Sequence, residues 1–272
     1  MTALVEAPLR KLDDAPVIAP AKRRHPRVWI GLALFAICSG HALLTLRLHN
    51  GVFEDEGLYI YQGHRAIAHL LHGVRLSDNP GSYLSGAPAL YPVYAALLDH
   101  LGGLEAVRFG SLPFTLLGIC CVYAIGRRLF STAAGLLGGA ALAVCGPAIF
   151  LSHFATYDAA IVGLVALATW LAIRSAQDDG LLWAPMIAAI LVLAGFTKYA
   201  AFAYVPMVFA LGVVVGWRVY RWRVVRRAVF GLLCAVALFF VVIEVWGRSL
   251  IPGIELTTTN RKVLGPTSAH VL

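Results

Sequence analysis

Charge is what this sequence has least of. Only 13% of its 272 residues are Asp, Glu, Lys or Arg, against 60% hydrophobic residues. A soluble domain carries roughly 25% charged residues, so this composition excludes a soluble globular protein and a solvated disordered one. Acids are scarcer still, with 14 Asp and Glu in all. Cysteine is no more informative. Cys38, Cys120, Cys121, Cys145 and Cys234 all sit in apolar stretches, without the spacing of a zinc or redox pair, which argues against a disulfide framework and for small buried hydrophobes. No internal repeat or low-complexity tract occurs, and the first 20 residues hold no apolar run of the kind a cleavable signal needs. Residues 1–27 read as a disordered cytoplasmic tail.

Long hydrophobic runs are abundant. Windows of about 17 to 25 apolar residues fall at 28–46, 106–126, 131–151, 156–174, 181–197, 199–217 and 225–246. The expected fold is an all-α membrane protein of about seven transmembrane helices. Lys22, Arg23, Arg24 and Arg27 precede the first run, which puts the N-terminus in the cytoplasm. Alternation then gathers Arg127, Arg128, Arg174, Arg218, Arg221, Arg223, Arg226 and Arg227 on that same side. The net charge of +8 is thereby an orientation signal and not a nucleic-acid footprint.

The first outer loop, 47–105, is long. Within it 58–72 has helical periodicity, with Leu58, Tyr61, Arg65, His69 and His72 opposite Ile60, Ile67 and Leu71, as an amphipathic helix on the membrane would. Residues 88–101 are apolar but too short to cross, and read as a re-entrant or interfacial helix. The module would span 28–250, followed by an outer segment, 251–272.

Topology also sorts the unusual polar residues. Glu54, Asp55 and Glu56 follow the first run, just ahead of Tyr59. Ser152 to Asp158, with His153, joins the third and fourth. Thr197, Lys198 and Tyr199 join the fifth and sixth, and Glu244 closes the seventh. All come to the outer face, where charge near the bilayer is costly and usually lines a polar cavity or pairs. Plainer roles stand beside this one. Asp158 fits a helix cap, Lys198 a snorkelling lysine and Glu244 a partner of Arg248. His64, His69 and His72 fit a polar helix face better than a zinc set, with a divalent metal kept as an alternative.

Taken in order, these positions resemble the membrane-embedded GT-C glycosyltransferases of the dolichyl-phosphate-mannose protein mannosyltransferase and lipid A aminoarabinose transferase superfamily. The matching elements are Asp55-Glu56, then Gly86-Ala87-Pro88-Ala89-Leu90-Tyr91-Pro92, then Arg108 with Pro113. Gly126-Arg127-Arg128-Leu129-Phe130, Thr156-Tyr157-Asp158 and Gly195-Phe196-Thr197-Lys198 complete them. The resemblance implies sugar transfer from a polyprenyl-phosphate carrier to a glycan, lipid or protein acceptor at the outer face of the plasma membrane, with inversion at the anomeric carbon. It makes Asp55 the general base, with Glu56 in support. Asp158, Lys198, Arg65, Tyr59, His153 and Tyr199 are then the substrate-binding candidates, Lys198 before Arg65 for the carrier phosphate.

The chain departs from the aminoarabinose transferases at Ser85-Gly86-Ala87, where they carry an acidic-lysine pair, which points away from that substrate. Relatives usually continue for several more spans. The expectation is therefore a fragment, or an acceptor half carried by a second membrane subunit. The competing reading is a non-catalytic lipid-binding subunit or degenerate relative. A transporter fits less well, because the ionisable groups gather at one face and not at the midplane.

Overall fold

The computed structural model describes residues 27–74, 90–178 and 182–246. The expected N-terminal tail, the turn at 78–82, most of the Gly86–Pro92 motif and the segment after 250 lie outside them. Every described element is helical: α1 (Arg27–Leu46), α2 (Glu54–His72), α3 (Tyr91–Phe109), α4 (Leu112–Leu129), α5 (Thr132–Ala143), α6 (Gly146–Ser152), α7 (Asp158–Asp178), α8 (Trp183–Thr197), a 3₁₀ turn (Tyr199–Ala203), α9 (Tyr204–Tyr220) and α10 (Trp222–Trp246).

Five helical stretches among the described residues are long and apolar enough to cross a membrane, and a sixth if α5 and α6 count as one. The expected count of seven exceeds this for two physical reasons. α8 has 15 residues, about 22 Å of helix at 1.5 Å per residue, against a hydrocarbon core of about 30 Å. The run 131–151 is not one helix, since α5 and α6 meet at 65°. Pro147 explains the bend, because proline lacks an N–H and its ring collides with the carbonyl four residues back, here Ala143. That carbonyl is not left bare. His41 of α1, 1% exposed, donates from Nδ1 to Ala143 O at 2.7 Å, and its Nε2 lies 2.7 Å from Ser152 Oγ. A neighbouring helix thus re-satisfies the backbone group that the proline frees.

Two packed regions position the loops that carry the candidate residues. One is the bundle of α7, α8, α9 and α10, filled by Leu171, Ile187, Leu191, Phe196, Val208 and Phe209. The other sits where α2 lies on α3 and the α6–α7 loop, with Tyr59, Tyr91, Ala95, Val107, Ala155 and Tyr157 packed together. α2 reaches α3 through Gly63, where a Cβ would fall 1.8 Å from Pro92 O. This contact rotates α2 away from the expected orientation. The buried face is Glu56, Tyr59, Gln62 and Gly63, while Leu70 and Leu71 are exposed. α3 breaks at Gly102 and Gly103, the latter at φ +68°, a left-handed conformation glycine adopts without penalty. The break follows Leu101, the expected end of the short outer helix.

Candidate active site

The three acids at 54–56 occupy the first turn of α2, where carboxylates favour the positive end of the helix dipole. They do not share one environment. Glu56 is fully buried, and Arg108 of α3 is 3% exposed beside it. Arg108 donates from Nε to Glu56 Oε1 at 2.9 Å and from Nη2 to Oε2 at 2.7 Å. The same carboxylate accepts Ala155 N–H at 2.9 Å and Phe53 N–H at 3.0 Å, the latter being half of a capping box. Burial pushes the Glu56 pKa up, but the bonds from Arg108 and from the Ala155 and Phe53 amides outweigh it and hold it below the usual carboxylate range.

Arg108 is equally committed. A guanidinium has five N–H donors, and they serve Glu56 twice, Asn50 O (3.1 Å), Gly51 O (2.9 Å) and Glu105 Oε1 (3.0 Å). One ion pair therefore fastens the α1–α2 loop, the start of α2, α3 and the α6–α7 loop to one another. Glu56, expected to support Asp55 in the chemistry, stands inside this fastening. Asp55, one residue earlier, is exposed.

Tyr59 follows Asp55 by four residues, one turn along the same side of α2. It is 2% exposed, and its ring meets Tyr91 at 5.6 Å and Tyr157 at 5.1 Å, both edge to face. Burial, the neighbouring Tyr157 and the negative charges of Asp55 and Asp158 all push its hydroxyl pKa up. Both carboxylates therefore lie within electrostatic reach of one phenol. On the far side of Tyr157, Lys198 Nζ sits 4.4 Å from the ring centroid and 3.1 Å from Asp158 Oδ1. Thr156 Oγ1 approaches Asp158 Oδ2 at 3.4 Å. Burial works against the Lys198 charge, but Asp158 and Tyr157 prevail and raise its pKa. The side chains of Lys198 and Asp158 remain 26% and 39% exposed. The result is a buried cluster of three tyrosines, with Asp55 one helical turn before Tyr59 on α2 and a Lys198–Asp158 pair against Tyr157.

Tyr59, Asp158 and Lys198 thus come together around Tyr157, and Asp55 lies one helical turn before Tyr59. The other sequence candidates are placed elsewhere or less directly. Tyr199 opens the 3₁₀ turn after Lys198 and is half-buried. Arg65 donates to Tyr61 Oη at 3.1 Å, ten residues and so about 15 Å along α2 from Asp55. His153 is buried on the Arg108 side, with Nε2 3.4 Å from Glu105 Oε2 and its ring edge to face with Phe109. Glu244 is exposed on α10, and Arg248, its expected partner, lies outside the described residues. His64 pairs with Asp99 at 2.8 Å and His69 with Val74 O at 2.9 Å. No three metal-ligating side chains converge among the described residues.

Sequence reasoning had Arg108 and Tyr157 only inside quoted motifs and missed their roles, along with those of Tyr91 and Glu105. An arginine two residues into an apolar run was the available signal for Arg108. The tyrosines carried none, since aromatic residues are ordinary in such runs.

Residues 87–246 match the family model described as dolichyl-phosphate-mannose-protein mannosyltransferase. The match spans more than half of the chain and includes Arg108, Tyr157, Asp158 and Lys198, while Asp55 and Glu56 precede it. No curated protein and no solved structure matches the chain.

Proposed function

Because the chain belongs to the dolichyl-phosphate-mannose-protein mannosyltransferase family, we propose that it is an inverting glycosyltransferase, using a polyprenyl-phosphate sugar at the outer face of the membrane. The observation that carries this reading is the partly exposed Lys198–Asp158 pair against the buried tyrosine cluster, with the exposed Asp55 one helical turn before Tyr59. Asp55 accepts the proton of an acceptor hydroxyl while that oxygen attacks the anomeric carbon. The bond from that carbon to the phosphate oxygen breaks, and the electron pair leaves with the lipid phosphate. Attack opposite the leaving group inverts the anomeric centre. A positioned general base contributes about 10²- to 10⁴-fold.

Lys198 stabilises the negative charge gathering on the departing phosphate. An ammonium has three N–H donors, and Asp158 takes one, fixing where the others point. Asp158 thereby serves the donor side by orienting Lys198, and its exposed edge remains open to the acceptor. Tyr59 and Tyr157 are buried and back the site, with Lys198 held against the Tyr157 ring. Glu56 holds Asp55 in place through Arg108 and does not meet the substrate. The module occupies 28–250.

The test is a turnover assay. The purified chain is incubated with a labelled polyprenyl-phosphate sugar and an acceptor, and release of free lipid phosphate is measured. Asp55→Asn should bind donor normally and lose most turnover. Binding without release in the parent chain would instead favour the lipid-binding subunit.

A further inference from the structure

Helices α9 and α10 are joined by one residue, Arg221, which stands at φ +41° and ψ −119°. This is the backbone of a tight reversal that glycine enters freely and a residue with a Cβ enters only under strain. Among the described residues, Arg221 is the only non-glycine residue with a positive φ. Its surroundings brace it, as a strained residue requires. The Arg221 N–H donates to Trp217 O at 3.1 Å, and the Val224 N–H donates to Arg221 O at 3.2 Å. Next to it Tyr220 donates to Gln177 O at 3.1 Å, and its ring centroid lies 5.1 Å from the Arg227 guanidinium.

Nothing in the packing calls for an arginine there. Arg221 is exposed, as are Arg218 and Arg223, and among the described residues no hydrogen bond or ion pair holds any of the three guanidinium groups. Three like charges so close in the chain repel one another and gain from an anion brought among them. Trp217 and Trp222 flank the turn, both exposed, and meet edge to face at 5.7 Å. Exposed tryptophans of this kind mark the headgroup level of a bilayer. The bond to Gln177 sets the turn at the far end of α7 from Asp158. Those two residues are about 29 Å apart along the helix at 1.5 Å per residue, close to a hydrocarbon thickness of about 30 Å.

From this we infer that the α9–α10 turn binds the headgroup phosphate of an anionic phospholipid in the leaflet on that side, with Arg221 at its centre and Arg218 and Arg223 beside it. Glycine at 221 would relax the backbone and lose the cation, so the strained arginine is explained by what its side chain holds. The exposed tryptophans keep the turn in the bilayer surface, which favours a lipid headgroup over a soluble acidic partner. The phosphate of a zwitterionic lipid already carries its own ammonium, so net charge selects the anionic one. The site lies across the membrane from the one proposed for sugar transfer and does not depend on that reading.

The test uses the full chain in phosphatidylcholine nanodiscs, with phosphatidylglycerol added in steps and the melting temperature followed. The parent chain should gain stability saturably with phosphatidylglycerol and not with inorganic phosphate. Arg221→Gly should melt higher than the parent in phosphatidylcholine alone. It should nevertheless need about fivefold more phosphatidylglycerol for half its gain, the worth of one arginine at an anionic surface. Arg221→Gln removes the charge without relieving the strain, and should show the same weakened response while melting with the parent in phosphatidylcholine. The inference is overturned if the parent shows no gain, or if either variant responds to phosphatidylglycerol as the parent does. It also falls if Arg221→Gly melts lower than the parent in phosphatidylcholine, which would make the arginine structural. A gain reproduced by inorganic phosphate or by poly-glutamate would assign the turn to a free anion or an acidic protein and overturn it as well.

Discussion

Lys198 and Asp158 meet at 3.1 Å although 40 residues separate them, one closing α8 and the other opening α7. Each is partly exposed, so the pair is a poor stabiliser by the usual standard for wet ion pairs and a good platform for a third, anionic group. Lys198→Ala should raise the KM for the lipid donor by roughly 10- to 100-fold, the worth of a charged hydrogen bond, with little change in acceptor KM. Lys198→Arg should recover part of it, since a planar fork does not reproduce a point charge. Equal changes in both KM values would remove Lys198 from the donor side.

The acids at 54–56 separate cleanly by amide substitution. Asp55→Asn should lower kcat by about 10²- to 10⁴-fold and leave the melting temperature near that of the parent chain. Glu54→Gln should do little to either. Glu56→Gln should behave in the opposite sense to Asp55→Asn, costing about 3–5 kcal/mol because Arg108 is left buried without its counter-charge. A Glu56→Gln protein as stable as the parent would contradict the arrangement.

The same pair sets an acid limit. Glu56 has a folded pKa below its unfolded one. Its contribution is therefore complete above the ordinary glutamate value of about 4.3 and is lost as pH falls through the lower folded value. Thermal melts from pH 7 down to pH 3 should show the gap between parent and Glu56→Gln closing as acid is added. A gap that stays constant would rule out this linkage.

Gly63→Ala tests the seat of α2. The added Cβ meets Pro92 O at 1.8 Å and Ala96 Cβ at 2.7 Å, so α2 and α3 must part. The expected cost is about 1–3 kcal/mol or more, with kcat falling because Asp55 moves with its helix. Unchanged melting and turnover would show that α2 is not held there.

His41→Ala removes the donor to Ala143 O and leaves a buried carbonyl unpaired, at a cost of about 1–3 kcal/mol. His41→Gln keeps a donor on a side chain of similar reach and should recover part of the loss. If alanine and glutamine melt alike, the imidazole is not capping the bend.

Much of this was legible beforehand, and the limits have physical causes. Hydropathy located α1, α4, α7, α9 and α10, because burial in lipid demands it, and alternation anticipated that Asp158 and Lys198 would lie together. It could not see that Pro147 bends one run, since both halves are equally apolar. Nor could it rank Asp55 against Glu56. Adjacent residues on a helix differ by about 100° in direction, and which one faces inward was decided by Gly63 settling on Pro92. Arg108 was hardest to read, because three of its five acceptors belong to the α1–α2 loop and to Glu105, positions with no periodic signature.

The bonds around Glu56 also carry a schedule. Its partners are made at different times: Phe53 lies three residues earlier in the chain, Arg108 52 residues later and Ala155 99 residues later. At about 5–20 residues per second of synthesis, the carboxylate exists for about 5–20 s before the last donor has left the ribosome. Helix α2 cannot take its final seat during that interval, and its acids must wait in water or beside a temporary partner. The end of α2 that carries Asp55 is thus among the last parts to be finished, although it is among the first to be translated.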